Sequence, residues 1–190
     1  FGLGFMMYQD KAGAAGFTSS IFEGSISYVT ALDPAKDNYF AIGFQGGLNQ
    51  SSLDLTKGTW DSQWNGDAFD PSMPSREVIQ LQQFSYLDMN AGLLYYYVPD
   101  EANSFSFGAS MQHIGSPNVT YYKDASTPLR RRITLHSSGE IALDKENSMW
   151  ITPKALFMMQ GNQQEIMFGG YFKNKVQFRS HYTNYKKEAY

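Results

Sequence analysis

From Ser104 to Gln112 the chain reads Ser-Phe-Ser-Phe-Gly-Ala-Ser-Met-Gln. Phe105, Phe107, Ala109 and Met111 fall on one side, and Ser104, Ser106, Gly108, Ser110 and Gln112 on the other. Successive strand side chains point to opposite faces, so this segment predicts a β-strand with one apolar and one polar face. The alternation recurs along the chain. No window approaches the ~18 consecutive apolar residues of a helical membrane span.

Strands are predicted over residues 2–9, 20–32, 39–51, 84–97, 104–113, 131–143, 149–160 and 165–173. In 20–32, Phe22, Ile26, Tyr28 and Leu32 oppose Glu23, Ser25 and Ser27. In 39–51, Phe40, Ile42, Phe44 and Leu48 oppose Gly43, Gln45, Gly47 and Asn49. In 84–97, Leu87, Met89, Leu93 and Tyr95 oppose Asp88, Asn90 and Gly92. Several of these segments have the roughly 9–11 residues a tilted strand needs to cross a bilayer. Strands in soluble proteins typically have about 5–6. The prediction is an all-β, antiparallel, up-and-down transmembrane β-barrel with lipid against the apolar face. One domain over 1–190 is expected, already inside a strand at its first residues and so incomplete at the N-terminus, with 174–190 the least legible part. There, Val176 and Phe178 suit the start of a further strand, and Lys186-Lys187-Glu188 reads as a solvated end.

The connections support the same topology. Segments 33–38, 98–103 and 144–147 are short and rich in turn residues, whereas 10–19, 52–83 and 114–130 are longer. Tight turns at one rim and long loops at the other would produce this alternation, with the tight turns facing the periplasm. The short last connection, 161–164, breaks the pattern. Phe40, Tyr95, Tyr97 and Phe105 flank the tight turns and suit an interfacial aromatic girdle. Pro153 interrupts the seventh strand, where it cannot donate a ladder hydrogen bond, and a bulge is expected there.

Composition narrows the function classes. The chain has 13 Tyr, 14 Phe and 17 Gly, with 17% charged residues, a mixture suited to close-packed sheets and interfacial belts. A net charge of -3 gives no basis for nucleic-acid binding, and the absence of Cys excludes disulfides, a thiol nucleophile and Cys-based zinc sites. His113, His136 and His181 lie in different segments without ligand spacing, and neither a Gly-x-Ser-x-Gly elbow nor a phosphate-cradling loop is present. A non-enzyme without a cofactor or metal is expected.

Two groups of residues are candidates for function. The loop 52–83 carries Trp60, Asp61, Gln63, Trp64, Phe69 and Asp70, a set suited to docking a partner. Its carboxylates Asp54, Asp61, Asp67 and Asp70 do not have EF-hand spacing. Arg130 and Arg131 close the next long loop, where they could grip lipopolysaccharide phosphates or an acidic partner, solvated charge being the plainer reading. Glu23, Asp88, Asn90, Arg132, His136, Glu140 and Lys154 all fall on the polar face. Because they carry both signs, they suit a lumen filled by ion pairs and hydrogen bonds better than an open pore. Asn118-Val119-Thr120 matches a glycosylation sequon by pattern only.

Gly2-Leu3-Gly4-Phe5 with Asp10-Lys11-Ala12-Gly13, and Ile26-Ser27-Tyr28 leading to Phe40-Ala41-Ile42-Gly43-Phe44, resemble the opening strands of the PorP/SprF family. Trp60-Asp61-Ser62-Gln63 and Phe69-Asp70-Pro71 are similar to its long loop. The stretch from Ser106 to His113 with Pro117, and the one from Arg132 through Trp150-Ile151-Thr152-Pro153-Lys154, resemble the strands that follow. The resemblance covers roughly residues 1–173 and implies a multi-pass barrel of the bacterial outer membrane, longer in its relatives and with further strands on both sides. It also implies an accessory role in the type IX secretion system, with the translocon, periplasmic ring components or a secreted cargo protein as partner. It supplies no catalytic residues. The alternatives are a general porin or small-solute channel, and a soluble β-sandwich binding module.

Overall fold

The computed structural model describes residues 1–190 except 55, 56, 78, 80, 145, 147, 180–185 and 190, and for 176–179 and 186–189 it describes the backbone. His181 and parts of the loops 52–83 and 144–147 therefore lie outside the described residues. The strands are β1 (Gly2–Ala12), β2 (Phe17–Ala31), β3 (Asn38–Ser52), β4 (Gln83–Tyr97), β5 (Ser104–Gln112), β6 (Arg132–Ala142), β7 (Met149–Gln160) and β8 (Gln163–Asn174). They form one 8-stranded sheet in sequence order, each strand antiparallel to the next, as expected for an up-and-down barrel wall. The sheet is open: among the described residues neither β1 nor β8 has a partner on its outer edge. β9 (Val176–Arg179) and β10 (Lys186–Ala189) form a separate 2-stranded sheet. β9 begins at Val176, where the sequence suits the start of a further strand, and Lys186–Ala189 pairs with it.

The register carries the two-faced pattern across the whole sheet. Ser25, Gln45 and Asn90 are cross-strand neighbours on one face, and Ile26, Phe44 and Ala91 on the other. The apolar face is the exposed one, with Phe44 at 55%, Leu87 at 72% and Phe168 at 88% accessibility. Trp150 is the buried apolar residue among those described, and it lies on the polar face. This inverts the arrangement of a water-soluble protein and matches a lipid-facing outer surface.

Strand length accounts for a misread connection. β2, β3 and β4 each have 15 residues. At about 3.3 Å per residue and a tilt of about 40°, such a strand rises roughly 38 Å, more than an apolar band about 25 Å tall. Strand ends therefore stand in water, where the outward positions no longer need to be apolar. Asp10, Lys11 and Ala12 pair with Ser19, Thr18 and Phe17, so the supposed loop 10–19 is a hairpin closed at 13–16. Gly13 and Gly16 turn it with φ of 72° and 59°. One rim thus carries the turns 32–37, 98–103 and 143–148, as expected. The other carries two long loops, 53–82 and 113–131, beside two tight turns, 13–16 and 161–162.

Pro153 makes no bulge. The β6–β7 register is the same before and after it, from Ser138↔Lys154 to Ile141↔Ile151, with pairing interrupted between. The proline has no N–H to give to β6, but its pairing with Gly170 of β8 continues. At the tight-turn rim the Tyr97 and Phe105 rings stack on the apolar face at 6.3 Å, and the Tyr95 hydroxyl donates to Asn38.

Candidate docking platform and polar face

The two long loops meet at their roots through Tyr121. In 53–82, a 3-10 turn at Asp61–Gln63 buries the Gln63 side chain. Its Oε1 accepts from the Trp60 N–H at 3.1 Å and its Nε2 donates to the Met73 carbonyl at 2.9 Å, which pins both ends of the segment. Trp64 and Phe69 then pair as an isolated antiparallel bridge, with Asn65 capping the tip through the Asp67 and Ala68 N–H groups at 3.0 and 2.9 Å. The scaffold holds Trp64 and Phe69 outward, 56% and 41% exposed. Asp61 also faces solvent. Asp70 is engaged locally: it accepts from the Ser72 hydroxyl at 2.6 Å and the Ser72 N–H at 2.9 Å, which together hold its carboxyl below the ordinary aspartate range.

The loop 113–131 folds onto the end of the polar face. Asn118 and Pro128 bridge its two arms, and the Asn118 side chain accepts from the Thr127 N–H at 2.6 Å. Tyr121 connects the two loops to the wall: its carbonyl accepts from the Leu81 N–H at 2.9 Å and its hydroxyl bonds Ser51 at 2.7 Å. Its ring meets Phe84 edge-on at 4.7 Å. Arg131 Nε donates to the Ile114 carbonyl at 3.0 Å, and the Arg130 side chain lies over the turn glycine Gly161. Both arginines thus hold the loop root while remaining exposed.

On the polar face, Glu23 accepts from the Gln45 amide. Asp88 lies 2.7 Å from His113 Nδ1, and Asn90 accepts from the His113 N–H at 3.0 Å. Arg132 donates to Gln112, and the His136 ring lies across Gly108. Glu140 pairs with Lys173 at 3.0 Å, Lys173 sits 4.5 Å over the Trp150 ring, and Lys154 sits 4.9 Å over Tyr171. The seven predicted residues thus share a face but divide into separate groups. His113, Tyr121 and Lys173 were not anticipated. His113 reaches the wall because it turns at φ 56°, which no periodicity reports, and Tyr121 sits in a loop with no pattern at all.

The opposite rim is built on a repeated device. Asp33, Asp100 and Asp144 each stand near the start of a turn and accept from its far end. The partners are the Asn38 side chain, the Asn103 side chain at 2.9 Å and the Ser148 hydroxyl, with backbone N–H groups adding to each. These bonds hold all three carboxyls below the ordinary range.

Among the described residues no helix is long and apolar enough to cross a membrane, which leaves strand crossing untouched. Searches of curated proteins and of solved structures return no match. A family model described as "Type IX secretion system membrane protein PorP/SprF" matches residues 1–187. With nearly the whole chain matched and an up-and-down sheet whose apolar face is the exposed one, this chain belongs to the PorP/SprF family of type IX secretion system membrane proteins.

Proposed function

We propose that this secretion-system component is a non-enzymatic outer-membrane barrel wall whose long loops dock a protein partner, a secreted cargo or the translocon, while a periplasmic ring component would meet the tight-turn rim. The observation that supports this is a rim where loops 53–82 and 113–131 stand side by side, meeting where the Tyr121 carbonyl accepts from the Leu81 N–H and its hydroxyl bonds Ser51 of the wall. Trp64 and Phe69 stand exposed on it while the surrounding polar groups bond internally. Exposed aromatics on a rigid base lose little side-chain entropy on binding and are the usual anchors of an interface. The apolar face is the surface for lipid, and the exposed Arg130 and Arg131 suit lipopolysaccharide phosphates at the same rim.

The test is a Trp64→Ser/Phe69→Ser double variant in the native outer membrane, with partner co-purification and cargo display as readouts. Partner recovery and display should fall while the heat-induced gel shift of the barrel stays as in wild type. Unchanged recovery and display would remove the platform from consideration. The channel reading has its own support in a cavity of about 380 Å³ whose polar-face lining includes Ser27, Gly43, Gly92 and Ser110. Ion conductance in planar bilayers distinguishes it.

A further inference from the structure

The deeply buried side chains of the sheet's polar face are themselves polar apart from Trp150. Glu23 is 8% exposed, Asn49 6% and Asp88 4%. These three surround one glycine. Glu23 on β2 and Asp88 on β4 are the cross-strand partners of Gly47, and Asn49 is the next residue of β3 on the same face. A Cβ at Gly47 would run into the Phe22 carbonyl oxygen and the Glu23 side chain, so the glycine lets the β2 backbone and Glu23 come this close.

The donors nearby do not meet the demand. Glu23 receives the Gln45 amide, and Asp88 receives its neighbour's backbone N–H at 3.0 Å and faces His113 at 2.7 Å. Two carboxylates withdrawn from water thus share a single imidazole. Asn49 Oδ1, an acceptor, is buried with no hydrogen-bond partner. Buried carboxylates require a compensating positive charge, and a buried carbonyl oxygen requires a donor or a cation.

We infer that Glu23, Asp88 and Asn49 bind a hard divalent cation through carboxylate and amide oxygens, with water completing the shell. Calcium is the class that fits, because it accepts all-oxygen ligands in irregular geometry. No group of three His, Asp or Glu among the described residues is placed to hold a metal ion, so the set rests on two carboxylates and an amide. The ion ties β2, β3 and β4 together at the level where His113 anchors the loop 113–131, and so stiffens the base of the platform. The site does not depend on what the platform docks.

The experiment uses the protein extracted from its membrane in detergent and stripped with EGTA. Terbium luminescence excited through Tyr86, the cross-strand neighbour of Asn49, reports occupancy, and calorimetry reports calcium affinity. A saturable terbium signal displaced by calcium is expected. Asn49→Leu and Glu23→Gln should each weaken calcium binding about tenfold or more. Tyr86→Phe should dim the luminescence and leave the calorimetric affinity unchanged. The absence of saturable binding overturns the proposal, as does full affinity in both ligand variants, which would place the ion on the exposed acidic turns. Should Asn49→Leu fail to fold, Glu23→Gln and the wild-type heat-induced gel shift decide. A shift temperature raised by calcium over EGTA supports the site, and an unchanged one overturns it.

Discussion

Arginine placed at Ala109 and at its neighbour Ser110 tests the assignment of faces on which the other conclusions rest. Ala109 pairs with Leu93 and Leu135 on the apolar face, and Ser110 with Gly92 and Thr134 on the polar one. Ala109 lies five residues past Ser104, where β5 leaves the tight-turn rim. At about 3.3 Å per residue and a tilt of about 40°, it sits roughly 13 Å above that rim, near the middle of an apolar band about 25 Å tall. Ala109→Arg should therefore destabilise the protein by about 2–4 kcal/mol, the cost of a midplane cation facing lipid. Ser110→Arg adds the same charge and about the same volume, yet it projects over the small residues Gly92 and Gly43 on the polar face, and should cost less than about 1 kcal/mol. The assay is urea unfolding of the protein refolded into lipid vesicles, followed by fluorescence of its 3 Trp. A difference of about 3 kcal/mol is roughly two decades in the folding equilibrium, well outside extrapolation error. Equal costs at the two positions, or a larger one at Ser110, would refute the assignment and with it the lipid-facing surface.

Gly108→Val should displace the His136 ring that now lies across the glycine and cost about 1–3 kcal/mol in the same urea assay; Gly92→Ala, where a Cβ meets Ser110 at 3.3 Å, should cost less. The turn aspartates predict an acid limb. Because the folded protein holds Asp33, Asp100 and Asp144 below the ordinary aspartate value of about 3.9, their stabilisation is complete above that pH and is lost as pH falls through the lower folded values. Asp144→Ala should lower the unfolding midpoint at neutral pH and flatten its decline below about pH 4, as read from urea midpoints across a pH series.

Part of the candidate site was legible because it is local. Trp64 and Phe69 belong to one loop, and a loop rich in aromatics between two strands announces itself. The link from that loop to the next one was not legible. Tyr121 has a partner in Ser51 on β3, another in Phe84 on β4 and a third in Leu81, and none lies near it in sequence. The hairpin at 13–16 was missed for a different reason: beyond the apolar band, the strand ends no longer need an apolar outward side chain, so the signal fades while the pairing continues.

The sequence by itself determined the two faces. Side-chain direction in a strand has a period of two, so each strand carries its own record of which residues meet lipid and which do not. Only the tertiary structure decided which polar groups meet. Glu23 and Asp88 are far apart in the chain and face one another because both pair with Gly47, and His113 joins them because the chain leaves β5 through a left-handed turn. Register and turn geometry are relations between segments, and composition within a single segment does not encode them.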